Sequence, residues 1–350
     1  MRGPITTPLT TLLGIQHPII LAGMAQVSGA RLAAAVANAG GFPVVGGYEC
    51  TPEQLLSTIT EMKALFDRPD LPFGVDVAIP KVGGGARKTN RDVTNGKLDD
   101  LIAISIDNGA KLFACSAGVP QPHIVAYLHS RGVLVMNVIG HPKHAVKALD
   151  AGIDIICAQG KEGRGHCGNI PTSVLIPAVV SIAQRYRPPM LQGLPAQVIA
   201  GGGVSCGPSL AGVLIQGAAA AWVSTRFVAS EEANASDEAK QAILACGFEE
   251  TERTLVLTGR PLRIRPNAYI QSWHARRNEV AELCERGVVP AEADYRNNNV
   301  IDVPFMMGEV AGSITEILPA GKIVEDMASG AAEMLRMGGQ YVGGMERARL

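Results

Sequence analysis

The sequence predicts an α/β fold, a (β/α)8 TIM barrel with a smaller lid or substrate domain inserted after its eighth strand. Eight short apolar runs, each closed by glycine or another small residue and followed by a helical pattern, are the sign of repeated βα units. Their starts lie roughly 20 to 44 residues apart, room for a strand, a helix and two loops. Composition agrees: 47% of the 350 residues are hydrophobic but only 4% aromatic, and 40 are glycine, which suits helices packed closely on a sheet. An open doubly wound sheet is the competing arrangement, because it differs by as little as one strand.

The first strand is "HPIILAGMA" (17–25), followed by the alanine-rich "SGARLAAAVANAG" with Ser28 as expected cap and Gly40 as stop. "GFPVVGGY" (41–48) precedes a helix opened by Thr51 as cap and Pro52 at its first position. "PFGVDVAI" (72–79), "AKLFACSAG" (110–118) and "VLVMNVIGH" (133–141) supply strands three to five. "IDIICAQG" (153–160), "AQVIAGGG" (196–203) and "AAAAWVSTRF" (218–227) complete the eight. After that the texture turns polar, and "QSWHARRNEVAELCERG" reads as one helix of an inserted segment. The expected division is a barrel of residues 1–228 and 306–350, with 229–305 as the lid, too long for an ordinary connection.

Lysine plus arginine number 31 against 32 acids, a formal net charge of −1, which removes the electrostatic case for nucleic acid or an anionic membrane. A small-molecule partner is expected instead. Cys50, Cys115, Cys157, Cys167, Cys206, Cys246 and Cys284 are odd in number and never spaced C-x-x-C, so neither a disulfide framework nor a metal site is expected. Gln16, His17 and Pro18 break the first apolar stretch, and no run approaches about 18 apolar residues. The expectation is a soluble, cytoplasmic protein, its oligomeric state unspecified.

In such a barrel the working residues sit at the carboxyl ends of the strands. Gly201, Gly202 and Gly203 after strand seven, with Ser224, Thr225 and Arg226 after strand eight, form a candidate phosphate cup without a Walker lysine, suited to a bound mononucleotide. Ala22, Gly23 and Met24 end strand one with small residues on which a flat ring could lie. Gln159 and Gly160 end strand six, and "KEGRG" then carries His166 back over the mouth. An imidazole accepts a proton near neutrality, which makes His166 the candidate catalytic base. His141, after strand five, is the other histidine at the correct end of a strand and a second candidate for substrate contact. Cys167 reads as a packing residue, because no orienting acid follows at a useful spacing.

"PIILAGMA", "CAQGKEGRGHCG", "VIAGGGVSCG", "WVSTRFVASEEA" and "TGRPLRI" together resemble, in this order, the motifs of the nitronate monooxygenase family, formerly 2-nitropropane dioxygenases. The resemblance implies an FMN-binding TIM barrel that oxidises alkyl nitronates, and in some cases nitroalkanes, with O2. It implies flavin contacts from Ala22, Gly23, Met24, Gln159, Gly160 and Gly165, a phosphate site at Gly202, Gly203, Val223, Ser224 and Thr225, and His166 as base. Three positions depart from the family's pattern. Arg164 adds a cation on the histidine loop that could attract an anionic substrate, Ser224 replaces a glycine, and Asp76 stands where asparagine is common, able to accept from the flavin N3–H. Relatives with a similar cup include NAD(P)H-dependent enoyl-acyl-carrier-protein reductases, the alternative activity. A non-catalytic flavin-binding barrel is the alternative of another class, although such a protein would not need the presented histidine.

Overall fold

The computed structural model describes residues 3–342. Its strands are β1 (Ile19–Leu21), β2 (Val44–Gly46), β3 (Gly74–Ala78), β4 (Leu112–Ser116), β5 (Leu134–Ile139), β6 (Ile155–Gln159), β7 (Gly165–His166), β8 (Gln197–Gly201), β9 (Ala220–Val223), β10 (Glu252–Thr254) and β11 (Leu262–Ile264). Eight of them form one parallel sheet in the order β1-β9-β8-β6-β5-β4-β3-β2. The two ends meet through a parallel bridge between Ile20 and Phe42, where Phe42 N donates to the Ile19 carbonyl at 2.9 Å and Leu21 N to the Phe42 carbonyl at 2.9 Å. That closure makes the sheet a barrel and leaves it no free edge.

Local chemistry fixes the helices around it. Thr51 and Gln54 form a reciprocal capping box with Pro52 in the first turn, as the sequence predicts. Ser28 does not cap the second helix. Gly29 occupies the cap position without a side-chain bond, and the Ser28 hydroxyl instead bonds both the N–H and the carbonyl of Met24. A short serine side chain competes for nearby backbone groups, and here it ties down the turn after β1. The helix Ala320–Gly339 closes the ring against Gly207–Ile215; a Cβ on Gly207 would lie 2.5 Å from the Gly330 carbonyl carbon, so only glycine permits that contact.

Between β9 and the last helix the chain contributes β10 and β11 to a second, three-stranded sheet, β10-β11-β7, whose third strand comes from the loop after β6. Its own apolar cluster comprises Val256, Leu262, Ile264, Ile270, Trp273 and Val280, whereas Ala233, Ile243 and Cys246 belong to the barrel core. The two cores therefore part some twenty residues after the change of composition. The stretch expected as one helix is two, Ala268–His274 and Arg277–Glu285, broken at Arg276, whose guanidinium stacks 4.2 Å above the Trp273 ring. Among the described residues no helix is long and apolar enough to cross a membrane, and no cluster of three metal-ligating side chains exists.

Candidate active site

The loop after β6 turns back over the barrel mouth and gives two residues to the second sheet, Leu262 pairing with His166 and Arg263 with Gly165. Gly165 has φ +71°, a conformation side chains resist. Gln159 at the end of β6 holds the loop by donating from Nε2 to the His166 carbonyl at 2.5 Å, and Gly163 lies so close that a Cβ there would be 2.8 Å from Gln159 Cγ. The imidazole is held in turn: Nε2 lies 2.9 Å from Thr258 Oγ1, which lies 3.3 Å from the Arg260 carbonyl. A hydroxyl that donates to this carbonyl accepts from Nε2–H and leaves Nδ1 as the basic nitrogen. Burial, and after it the Arg260 cation, lowers the His166 pKa to about 4, so the ring is neutral at neutral pH. It opens on a pocket shared with Tyr48, Ala78, Asn90, Arg91, Thr258 and Arg260.

After β8, Gly202 and Gly203 have φ +82° and +77°, turning the backbone sharply. The N–H groups of Gly202, Gly203, Ser224 and Thr225 have no acceptor among the described residues. Unpaired N–H groups at the ends of two adjacent strands, β8 and β9, are candidate donors for an anion. The Thr225 hydroxyl is already engaged, accepting from Gly308 N at 3.0 Å, which ties the cup to the loop before the last helix. Arg226 does not join the cup. It is buried, and its Nη2 donates to the carbonyls of Ala229 and Glu316, both at 2.8 Å. Those two bonds make it a strut between segments, while its Nε is buried without a partner among the described residues.

Ala22 and Met24 are buried at the end of β1, and Gly23 presses on Asp76, where a Cβ would fall 2.4 Å from Asp76 Cβ. Asp76 Oδ1 is buried without a partner, as is Asn137 Oδ1 two strands further round. Each is an acceptor awaiting a donor, because unpaired buried polar atoms are costly. Burial raises the Asp76 pKa to about 7, against a hydrogen bond from Ser116 that lowers it. The sign follows: the native state holds the proton between about pH 4 and 7 and the unfolded chain does not, so stability of the flavin-free protein falls as pH rises through that window. Asp76→Asn, which cannot ionise, is expected to melt higher than the parent above pH 7, by up to about 4 kcal/mol, and no higher at pH 4. Equal melting shifts at both pH values would refute this.

Other expected residues are placed differently. The Gly160 Cα faces Thr172, whose Oγ1 would be 2.1 Å from a Cβ, so this glycine permits a close approach between loop and helix. Val223 is fully buried in the ladder opposite Leu21. His141 is exposed and caps the following helix, its Nδ1 accepting from Lys143 N at 3.1 Å, and it does not line the His166 pocket. Arg164 turns toward the tail loop, donating from Nε to the Met306 carbonyl at 3.0 Å, with its pKa lowered by burial to about 10. The cation that bears on His166 is Arg260. Thr258 and Arg260 lie inside "TGRPLRI", but only the pairing of β7 with β11 shows why that turn matters to the histidine. Glu162, which accepts from Thr172 N and Oγ1, carries no spacing signal of its own.

Residues 6–330 match the profile of a family described as nitronate monooxygenase. A Mycobacterium tuberculosis protein named (3aS,4S,5R,7aS)-5-hydroxy-7a-methyl-1-oxo-octahydro-1H-indene-4-carboxyl-CoA dehydrogenase is 34% identical over 74% of this chain, the match spanning 66% of that protein's own length. Among solved structures, FabK from Thermotoga maritima superposes with a TM-score of 0.78 at 28% identity, covering 97% of this chain and 100% of the other. Nitroalkane oxidase from Streptomyces ansochromogenes gives 0.77 at 27% identity, covering 95% and 99%.

Proposed function

Because the chain belongs to the nitronate monooxygenase family and is an oxidoreductase, we propose that it binds FMN and uses His166 to remove a proton from an acidic carbon, with alkyl nitronates and nitroalkanes as substrates and O2 as oxidant. The observation that carries this is the pairing of a neutral, rigidly braced imidazole with a cup of unpartnered N–H groups at the same barrel mouth. The residues suit an FMN. Gly202, Gly203, Ser224 and Thr225 would hold its phosphate, Ala22 to Met24 and Gln159 would flank its ring, and the free Asp76 Oδ1 would accept from a ring N–H. When bound, a flavin supplies two-electron oxidation of the substrate and return of those electrons to oxygen.

The protein's own part is positioning and proton transfer. Thr258 fixes the imidazole, and His166 Nδ1 takes the carbon-bound proton of a neutral nitroalkane. Arg260 lies in the same pocket, where negative charge on the substrate oxygens would be favoured. A preformed nitronate needs binding alone. We place this chemistry on small molecules in the cytoplasm.

A second reading has the same base acting on the acidic α-carbon of an acyl thioester, favoured by the 34% identity to a protein named as a carboxyl-CoA dehydrogenase. Anaerobic mixing of the flavin-loaded protein tests the nitronate reading against that of an NADPH-dependent reductase, and bleaching by an acyl-coenzyme A thioester in place of the nitronate would favour the second reading. Rapid loss of the oxidised flavin spectrum with ethyl nitronate, and none with NADPH, is expected. Rapid bleaching by NADPH with inertness toward nitronate would replace the proposal with a reductase.

A further inference from the structure

The His166 pocket opens on a pair of arginines, Arg260 and Arg87, of which the proposed chemistry uses only the first. Arg260 is half-buried, lines the pocket and makes no ion pair among the described residues; its Nη1 donates to Asn90 Oδ1 at 3.2 Å. The loop between β3 and the helix Leu98–Asp107 brings Arg87 beside it, the same loop's Asn90 accepting from Arg260 and its Thr89 packing on Gly259. Arg87 is the charge that bears most on Arg260, with only the Tyr48 phenol opposing. Carboxylates nearby are engaged: Glu49 pairs with Arg91 at 2.7 Å, and Glu292, on the pocket wall, pairs with Arg296 at 3.7 Å.

This lip is built rather than incidental. Gly259, at φ +65°, packs against Thr89 so closely that a Cβ would lie 2.5 Å from its Oγ1, and Gly287 packs on Lys88, where a Cβ would lie 3.0 Å from Lys88 Cβ. With the Arg260–Asn90 bond, these contacts dock the Arg87 loop on the second sheet's segment in three places. Gathering like charges costs energy unless a counter-charge is bound, and planar guanidiniums match phosphate oxygens in pairs. A nitronate, with one delocalised charge, does not require two arginines along a rim.

We propose that Arg260 and Arg87 form a binding site for the phosphate groups of an adenine nucleotide tail, whose other end reaches His166. That tail has two sources of the same chemistry, a coenzyme A thioester as substrate or a nicotinamide dinucleotide phosphate as electron donor. The inference goes beyond the choice of carbon acid, since it concerns how the ligand is held and not what His166 removes.

Calorimetric titration of the flavin-loaded protein with coenzyme A and, separately, with NADPH tests it without turnover. One of the two should bind, competitively with inorganic pyrophosphate and at least tenfold more weakly when salt rises from about 50 to 300 mM. In Arg87→Met/Arg260→Met the affinity should fall roughly 10- to 100-fold. Arg87→Glu, a change at an exposed residue that leaves the fold alone, should lower it by at least tenfold. Binding of coenzyme A alone assigns a thioester substrate, and binding of NADPH alone assigns the donor. Binding of neither, or binding that both variants leave unchanged, overturns the site, while nitronate oxidation measured on the same preparations reports separately on the reading of His166.

Discussion

Replacing His166 with asparagine is expected to slow oxidation of a neutral nitroalkane by about 10²- to 10⁴-fold while leaving oxidation of the preformed nitronate within roughly tenfold. The two substrates differ by one carbon-bound proton, so the ratio of the two losses isolates the base. Asparagine keeps a planar group that can still bond to Thr258 Oγ1, 2.9 Å from His166 Nε2 in the parent, and the β7–β11 pairing is a main-chain contact that the substitution does not touch. The loop should therefore stay in place. Both rates are read on preparations matched for flavin content. Equal losses on the two substrates would mean that His166 positions the ligand and does not move the proton.

The barrel was legible because each of its strands is a local apolar run ended by its own turn, and each helix start has its own chemistry, as at Thr51, Pro52 and Gln54. The histidine loop was legible for a similar reason: Gln159, the glycines and His166 are consecutive. What the sequence hides is pairing across distance. β7 is two residues long, too short for any periodicity, and its partner β11 lies almost a hundred residues on, so nothing local shows that Thr258 and Arg260 meet His166. Polar residues with several uses differ for another reason, because short-range backbone groups compete for them. Ser28 serves the Met24 backbone and not a helix cap, Arg226 braces two carbonyls, and His141 caps a helix. In each case the side chain found backbone groups within four residues of itself, and for Arg226 also the distant Glu316 carbonyl.

The cup predicts its own failure most sharply at Gly203, where aspartate should release the cofactor and asparagine should keep it. Gly203 has φ +77°, and both of these residues enter the left-handed region more readily than other side chains. A Cβ there would meet nothing closer than Thr172 Oγ1 at 3.7 Å, ordinary contact, unlike Gly202, where a Cβ would be 2.8 Å from Gly163 N and would disturb the histidine loop. Asparagine and aspartate have the same shape, so the difference between them is one negative charge set beside the free N–H groups of Gly202, Gly203, Ser224 and Thr225. Two charges about 4 Å apart at an effective dielectric of about 20 repel by roughly 4 kcal/mol, or about 10²- to 10³-fold in affinity. Gly203→Asn should hold FMN within about tenfold of the parent, the cost of the side chain in that backbone conformation. Gly203→Asp should purify colourless and bind added FMN at least a hundredfold more weakly, as read by quenching of flavin fluorescence. Riboflavin, which lacks the phosphate, should bind both variants equally. If aspartate and asparagine weaken FMN alike, the phosphate is held elsewhere and the assignment of these loops is wrong.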